Sequence, residues 1–295
     1  MSHFTVLIIG NEPESQLEPF DEQLEIPEFC KGEVSEEDKT RMVEYYNEND
    51  KNPDNLGFDE LYALHGEDWD GGNLKKNPVT GVWEEWSAYN PNSKWDWYQL
   101  GGRWSGMLKL KEGADGEVGE PSFISEVRAE VGYADQAFKR DIDFEGMRNE
   151  AEAKCRAEYD RVVAIFGGEI PKVEHLWSTV IDKENPFFAP MTIDEKRDFY
   201  HAQPGSLKSK EFHKELGWNF ELDEYQKPLD QLVKETRESA GQTFAILKDG
   251  VWYEKGEMGW WACVSNEKDD WSAEFAKLLD EIPDDTLVSV YDCHI

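Results

Sequence analysis

The chain has 295 residues, 39% hydrophobic and 13% aromatic, which is enough apolar bulk for an ordered core and too much for disorder throughout. Its 64 acidic residues against 31 Lys and Arg give a formal net charge of −33. Such a surface repels nucleic-acid phosphates and anionic lipid, so direct nucleic-acid binding and membrane attachment are set aside, while basic protein surfaces are favoured as partners.

In chain order, Phe4 to Ile9 is an apolar, β-branched run closed by Gly10, Asn11 and Pro13. It predicts a buried strand and not a signal peptide, because no basic stretch precedes it and no small-residue cleavage site follows. Asn11 to Cys30 carries three prolines and many acids, and reads as an extended loop. Ser35 with Asp38 predicts a capped, acidic helix to about Asn47. The stretch from Asn49 to Asn92 is rich in Asn, Asp, Gly and Pro, and reads as loops and short hairpins.

Downstream, Phe144, Met147, Ala151, Cys155, Tyr159 and Val162 recur at three- and four-residue spacings. They predict a long helix over 141–166, stopped by Gly167-Gly168. The sequence Thr-Ile-Asp-Glu at Thr192 is a capping box that opens another helix, and Ser206 to Leu216 predicts a third, ended by Gly217. Leu229, Leu232, Val233 and Thr236 define a helical face. Thr243 to Leu247 is a strand, Asp249-Gly250 a hairpin turn, and Val251 to Tyr253 its return. Gly259 to Ser265 is a further strand candidate. Trp271, Phe275, Leu278, Leu279 and Ile282 form a helical stripe before Pro283, and Leu287 to Ile295 closes the chain as a strand.

The resulting order (strand, helix, strand, strand, helix, strand) predicts an α+β fold, specifically a ferredoxin-like sandwich built from residues 1–10 plus 224–295. Residues 11–223 are expected as a mostly helical and loop-rich insertion that includes a Trp-rich strand segment over 90–110. No run of about 18 apolar residues predicts a membrane span. Cys30, Cys155, Cys263 and Cys293 lie far apart without a CxxC pair. They are expected as buried thiols, with disulfide pairing left open.

Two clusters hold the candidate site residues. In NPNSKWDWYQLGGRWSG (90–106) the glycines lack the spacing of a phosphate loop, and MLKLK follows as strand alternation. Trp95, Trp97 and Trp104 either fill the core beside a Gly101-Gly102 bend or join Tyr98 and Arg103 in a partner-binding edge. The second cluster sets Asp68 and Asp70 around Trp69, and Glu84 and Glu85 between Trp83 and Trp86. Carboxylates beside aromatic rings suit Lys and Arg recognition by ion pairing and cation–π contact. A glycosidase-like carboxylate pair fits the same residues, but 64 acids make chance pairs common. The six histidines form no HExxH, Cys293-His294 alone is too little for zinc, and no GxSxG or EF-hand ladder occurs. No catalytic residue, metal or cofactor is expected.

The blocks SHFTVLIIGNEPESQL (2–17), NPNSKWDWYQLGGRWSG (90–106) and GYADQAFKRDIDFEGMRNEA (132–151) resemble a family of phage-encoded proteins. With the chain length, they are also similar to the phage inhibitors of the bacterial Gabija defence system, the Gabija anti-defence proteins. The blocks span a minority of the chain and assign no interface residue. The resemblance implies a non-enzymatic, homo-oligomeric inhibitor in the cytoplasm of the infected host. Such proteins assemble around the Gabija nuclease–helicase complex and keep it from engaging or cutting phage DNA. A phage hydrolase using a carboxylate pair, or a phage structural or assembly protein, are the alternatives.

Overall fold

The computed structural model describes residues 2–49, 51–121, 129–218, 220–259 and 263–295. The first part of the chain forms β1 (His3–Ile9), α1 (Pro13–Leu17), β2 (Phe29–Glu33), α2 (Glu36–Glu48), α3 (Phe58–Asp70), β3 (Leu74–Lys76), β4 (Trp83–Ser87) and β5 (Trp97–Leu100). The middle forms β6 (Leu108–Lys109), β7 (Tyr133–Ala134), β8 (Gln136–Phe138), α4 (Phe144–Ile165), α5 (Trp177–Ile181), α6 (Ile193–Ala202), α7 (Pro204–Glu211) and α8 (His213–Leu216). The last part forms α9 (Leu229–Ser239), β9 (Ala245–Lys248), β10 (Val251–Glu254), β11 (Glu257–Met258), β12 (Val264–Ser265), α10 (Trp271–Asp280) and β13 (Leu287–His294). Two compact units result: unit 1 is Met1–Asn11 with Gln99–Asp292, and unit 2 is Glu12–Tyr98 with Cys293–Ile295.

Unit 1 is α+β, built on a mixed sheet in the order β10-β9-β1-β13-β5, with β8 also paired to β13. β1 and β9 run parallel with Val6 opposite Ala245 and Ile8 opposite Leu247. Val6, Leu7, Ile8, Ala245, Ile246 and Leu247 are all fully buried, as expected for parallel strands covered on both faces. Asp249 and Gly250 take φ of 52° and 74°, the two positive values a tight hairpin needs, and return the chain into antiparallel β10. A ferredoxin-like sandwich would split its first βαβ unit with an intervening strand. Here β1 and β9 are direct neighbours, so the strand order departs from that expectation while the α+β class holds.

The core of unit 1 joins Leu7, Ile246, Val288 and Val290 of the sheet to Trp271, Phe275, Leu278 and Leu279 of α10. Leu108, Ala137 and Ile142 belong to the same cluster. The segment read as an insertion therefore contributes to this core, and the divisions fall near residues 11, 98 and 292 instead of 10 and 223.

The Gly-rich loop after β5 has a structural task. Gly101 and Gly102 have φ of 71° and 52°. A Cβ on Gly101 would lie 2.3 Å from the Oδ2 of Asp135, and one on Gly102 would lie 2.5 Å from the Cβ of Asp292. Both aspartates are fully buried. The Asp135 carboxylate accepts from Gly106 N at 2.6 Å, Gly119 N at 2.8 Å and the Ser105 hydroxyl at 3.2 Å. Asp292 accepts from Arg103 N at 3.0 Å and lies 2.8 Å from His3 Nδ1. The loop supplies Arg103 N, the Ser105 hydroxyl and Gly106 N as donors to two buried carboxylates, and the missing Cβ atoms let them approach.

Unit 2 packs α2 and α3 with the three-stranded sheet β2-β4-β3. Ser35 caps α2 by accepting from Asp38 N at 3.0 Å. Met42, Tyr46, Leu61 and Tyr62 form its core, with Phe58, Trp69 and Trp83 against it. Trp95 is 6% exposed and donates from Nε1 to Leu17 O at 3.2 Å, whereas Trp97 is 41% exposed. Only the first behaves as a core residue.

Several expectations need correction. α1 and a 3-10 turn at Glu18–Phe20 occupy the expected extended loop, and α3 stands where loops and hairpins were expected. The 206–216 helix breaks at Phe212 into α7 and α8. Cys30 and Cys263 are exposed thiols; Cys293 is buried as expected. Of the strand candidate at 259–265, residues 260–262 lie outside the described residues, and the flanking β11 and β12 pair antiparallel. Among the described residues no helix is long and apolar enough to cross a membrane.

Candidate functional site

Tyr45 and Tyr46 sit near the end of α2, while His65, Asp68 and Trp69 share one face of α3 through their three- and four-residue spacing. With Lys51 and Pro53 these side chains line a cleft of about 820 Å³ in unit 2. Tyr46 is buried and forms its floor, stacked on His65 at 4.7 Å and 22°. Tyr45, 42% exposed, meets Tyr46 edge-on at 5.4 Å and tilts against Trp69 at 5.4 Å.

The electrostatics of this cleft favour a cation. Burial pushes the Tyr46 phenol above its ordinary range, and the nearby Asp68 charge adds to the shift while Lys51 opposes it. Asp68 is exposed, with no ion pair or hydrogen bond to its carboxylate among the described residues. Lys51 places its ammonium 5.4 Å from the centre of the Tyr45 ring. The chain's own lysine thus shows the chemistry on offer: ring faces of negative potential beside an unpaired carboxylate.

Comparison with protein-family models, curated proteins and solved structures returns no significant match. The chemistry of the cleft must therefore be read from its own residues. Among the described residues, no group of three His, Cys, Asp or Glu is placed to hold a metal ion.

The ten residues singled out in the sequence do not form one site. Asp68 and Trp69 enter the cleft. Asp70 instead closes α3, its Oδ1 accepting from Tyr62 OH at 2.9 Å, Gly72 N at 3.0 Å and Asn73 N at 3.2 Å. The Tyr62 hydroxyl also accepts from Leu74 N at 2.7 Å, and burial pushes its pKa up to about 12. Along β4, Trp83 donates from Nε1 to Asp59 at 2.7 Å, Glu84 accepts from Asn77 at 2.8 Å, and Glu85 pairs with Lys31. Trp86 lies beneath the Lys75 ammonium at 5.1 Å, and its indole N–H finds no acceptor among the described residues. Asp59 is held below the usual carboxylate range by hydrogen bonds from Lys76 first and Trp83 second. Tyr98 packs edge-on against Trp95 at 4.8 Å, with its phenol raised chiefly by burial. Arg103 and Trp104 belong to unit 1, in the loop that holds Asp292.

Tyr45, Tyr46 and His65 were not anticipated. The adjacent tyrosines at the end of the predicted acidic helix were a usable signal. His65 became legible only once the 58–70 segment is known to be helical, since Tyr62, His65 and Trp69 then fall on one stripe.

Proposed function

We propose that this chain is a phage-encoded inhibitor of the bacterial Gabija nuclease–helicase complex. It works in the cytoplasm of the infected host by binding the complex and blocking its engagement or cleavage of DNA. The reading is carried by the unit 2 cleft, in which the unpaired Asp68 carboxylate borders Tyr45, Tyr46 and Trp69 on a chain of net charge −33. A nuclease has to present basic surface to hold DNA, and an anionic protein with exposed rings competes for that surface. The resemblance of three sequence blocks to phage anti-defence proteins names the target. Charge speeds capture, and the buried rings set the dissociation rate. Self-association into a homo-oligomer would present the cleft several times and raise avidity. The inhibitor itself contacts no nucleic acid.

Co-purification from cells expressing tagged Gabija proteins tests this. A stable complex at low salt is expected, with Trp69→Ala and Asp68→Asn each weakening it by about 1–2 kcal/mol, roughly 5- to 30-fold. No complex at low salt, or a complex indifferent to both substitutions, refutes the reading.

A further inference from the structure

In unit 1, α8 ends at Gly217, where φ of 91° redirects the chain into Trp218. That indole is fully exposed. Trp is among the residue types enriched at interface hot spots, and here it does not stand alone. Beside it Phe220 and Tyr225 stack at 5.1 Å and 25°, with Tyr159 6.2 Å from Tyr225. Trp218, Phe220 and Tyr225 line a cleft of about 280 Å³ together with Glu158, Glu221 and Glu224, and no Lys or Arg is among its described lining residues.

The three carboxylates differ. Glu158 is already engaged by Arg161, at 2.8 Å through Nε and 2.6 Å through Nη2. Glu221 and Glu224 have no side-chain hydrogen bond or ion pair among the described residues. The Tyr225 phenol is raised by burial first and then by the charges of Glu158 and Glu224, with the Arg161 charge opposing them.

We infer that this surface of Trp218, Phe220, Glu221, Glu224 and Tyr225 receives an arginine side chain from a basic protein partner. A guanidinium lies flat on an aromatic face while its forked donors reach carboxylates, and it is less strongly hydrated than an ammonium. The inference rests on the reading that the chain acts by gripping a basic protein. It adds a contact in unit 1 to the cleft in unit 2.

The test uses the whole chain and a labelled peptide of six arginines spaced by glycine, followed by fluorescence anisotropy at about 50 mM salt, where surface charge is weakly screened. Trp218→Ala and the double variant Glu221→Gln/Glu224→Gln are each expected to weaken binding about tenfold, the effect of losing a hot-spot residue. The control Glu112→Gln/Asp115→Asn, two exposed acids of another unit 1 loop, should change it less than twofold. Equal losses in the two charge-removing doubles would mean that net charge alone binds the peptide, and would overturn the inference. Unchanged binding in Trp218→Ala would do the same. Because Trp218 is exposed, its variant should melt with the wild type. Gabija capture is read separately. Capture indifferent to Trp218 and Glu221/Glu224 sinks this contact and leaves the proposed function standing. Failed capture alongside Trp218-dependent peptide binding does the reverse.

Discussion

Replacing Gly101 by alanine should destabilise unit 1 far more than the same change at Gly113. Both glycines have positive φ, 71° and 76°, so each substitution carries a left-handed penalty of about 1–2 kcal/mol. Their surroundings differ: nothing lies within 4 Å of a Cβ at Gly113, whereas at Gly101 it would sit 2.3 Å from Asp135 Oδ2. To make room, Asp135 must leave some of its bonds to Gly106 N, Gly119 N and Ser105, and a buried carboxylate that loses its partners costs about 3–5 kcal/mol. The expected totals are about 4–7 kcal/mol for Gly101→Ala and about 1–2 kcal/mol for Gly113→Ala. With a urea slope of about 2–3 kcal/mol/M, these correspond to midpoint shifts of about 2 M and about 0.5 M. Urea unfolding followed by far-UV circular dichroism measures both. Equal shifts would show that backbone strain alone is at work, and that the close approach to Asp135 carries no energy.

Other outcomes follow from the same contacts. Trp95→Ala, which empties a buried site and orphans Leu17 O, should cost about 3–5 kcal/mol, while the half-exposed Trp97→Ala should cost less than about 1 kcal/mol; thermal melts distinguish them. Tyr62 is raised from 10.0 to about 12, so the unfolded chain loses this proton first, and stability falls as pH rises from about 10 to about 12. Alkaline melts of Tyr62→Phe should lack that component. Asp59 is depressed below its usual value by Lys76 and Trp83, so its contribution is present above the unfolded pKa and is lost as pH falls through the lower folded one. Asp59→Asn should flatten the acid limb of the stability profile. On the proposed function, the association rate with the Gabija complex should drop steeply between about 50 and 300 mM salt, and a flat dependence would reject electrostatic steering.

The elements legible in the sequence were those with local signals. Thr192 and Glu195 make both bonds of the capping box, the spaced apolar residues from Phe144 to Val162 form the long α4, and Asp249-Gly250 makes its hairpin. Strand order was not legible, because the pairing of Val6 with Ala245 is non-local and an apolar run names no neighbour. α3 was hidden by composition: Gly66, His65 and its acids look like loop, yet Phe58, Leu61, Tyr62 and Trp69 keep a helical stripe. In the site, Asp68 and Trp69 were readable as a carboxylate beside a ring. The acids of β4 gave the same pattern with a different outcome, because β2 and β3 bring Lys31 and Lys75 alongside them.

The parallel pairing of β1 with β9 also dictates how the protein must be made. β1 emerges from the ribosome long before β9, with apolar side chains on both faces, yet Val6 meets Ala245 only after about 240 further residues have been added. At roughly 5–20 residues per second, that leaves the strand without its neighbour for roughly 12–50 s. During that interval it is a natural client for host chaperones, and yield in an expression host should depend on how well they shelter the nascent β1 strand.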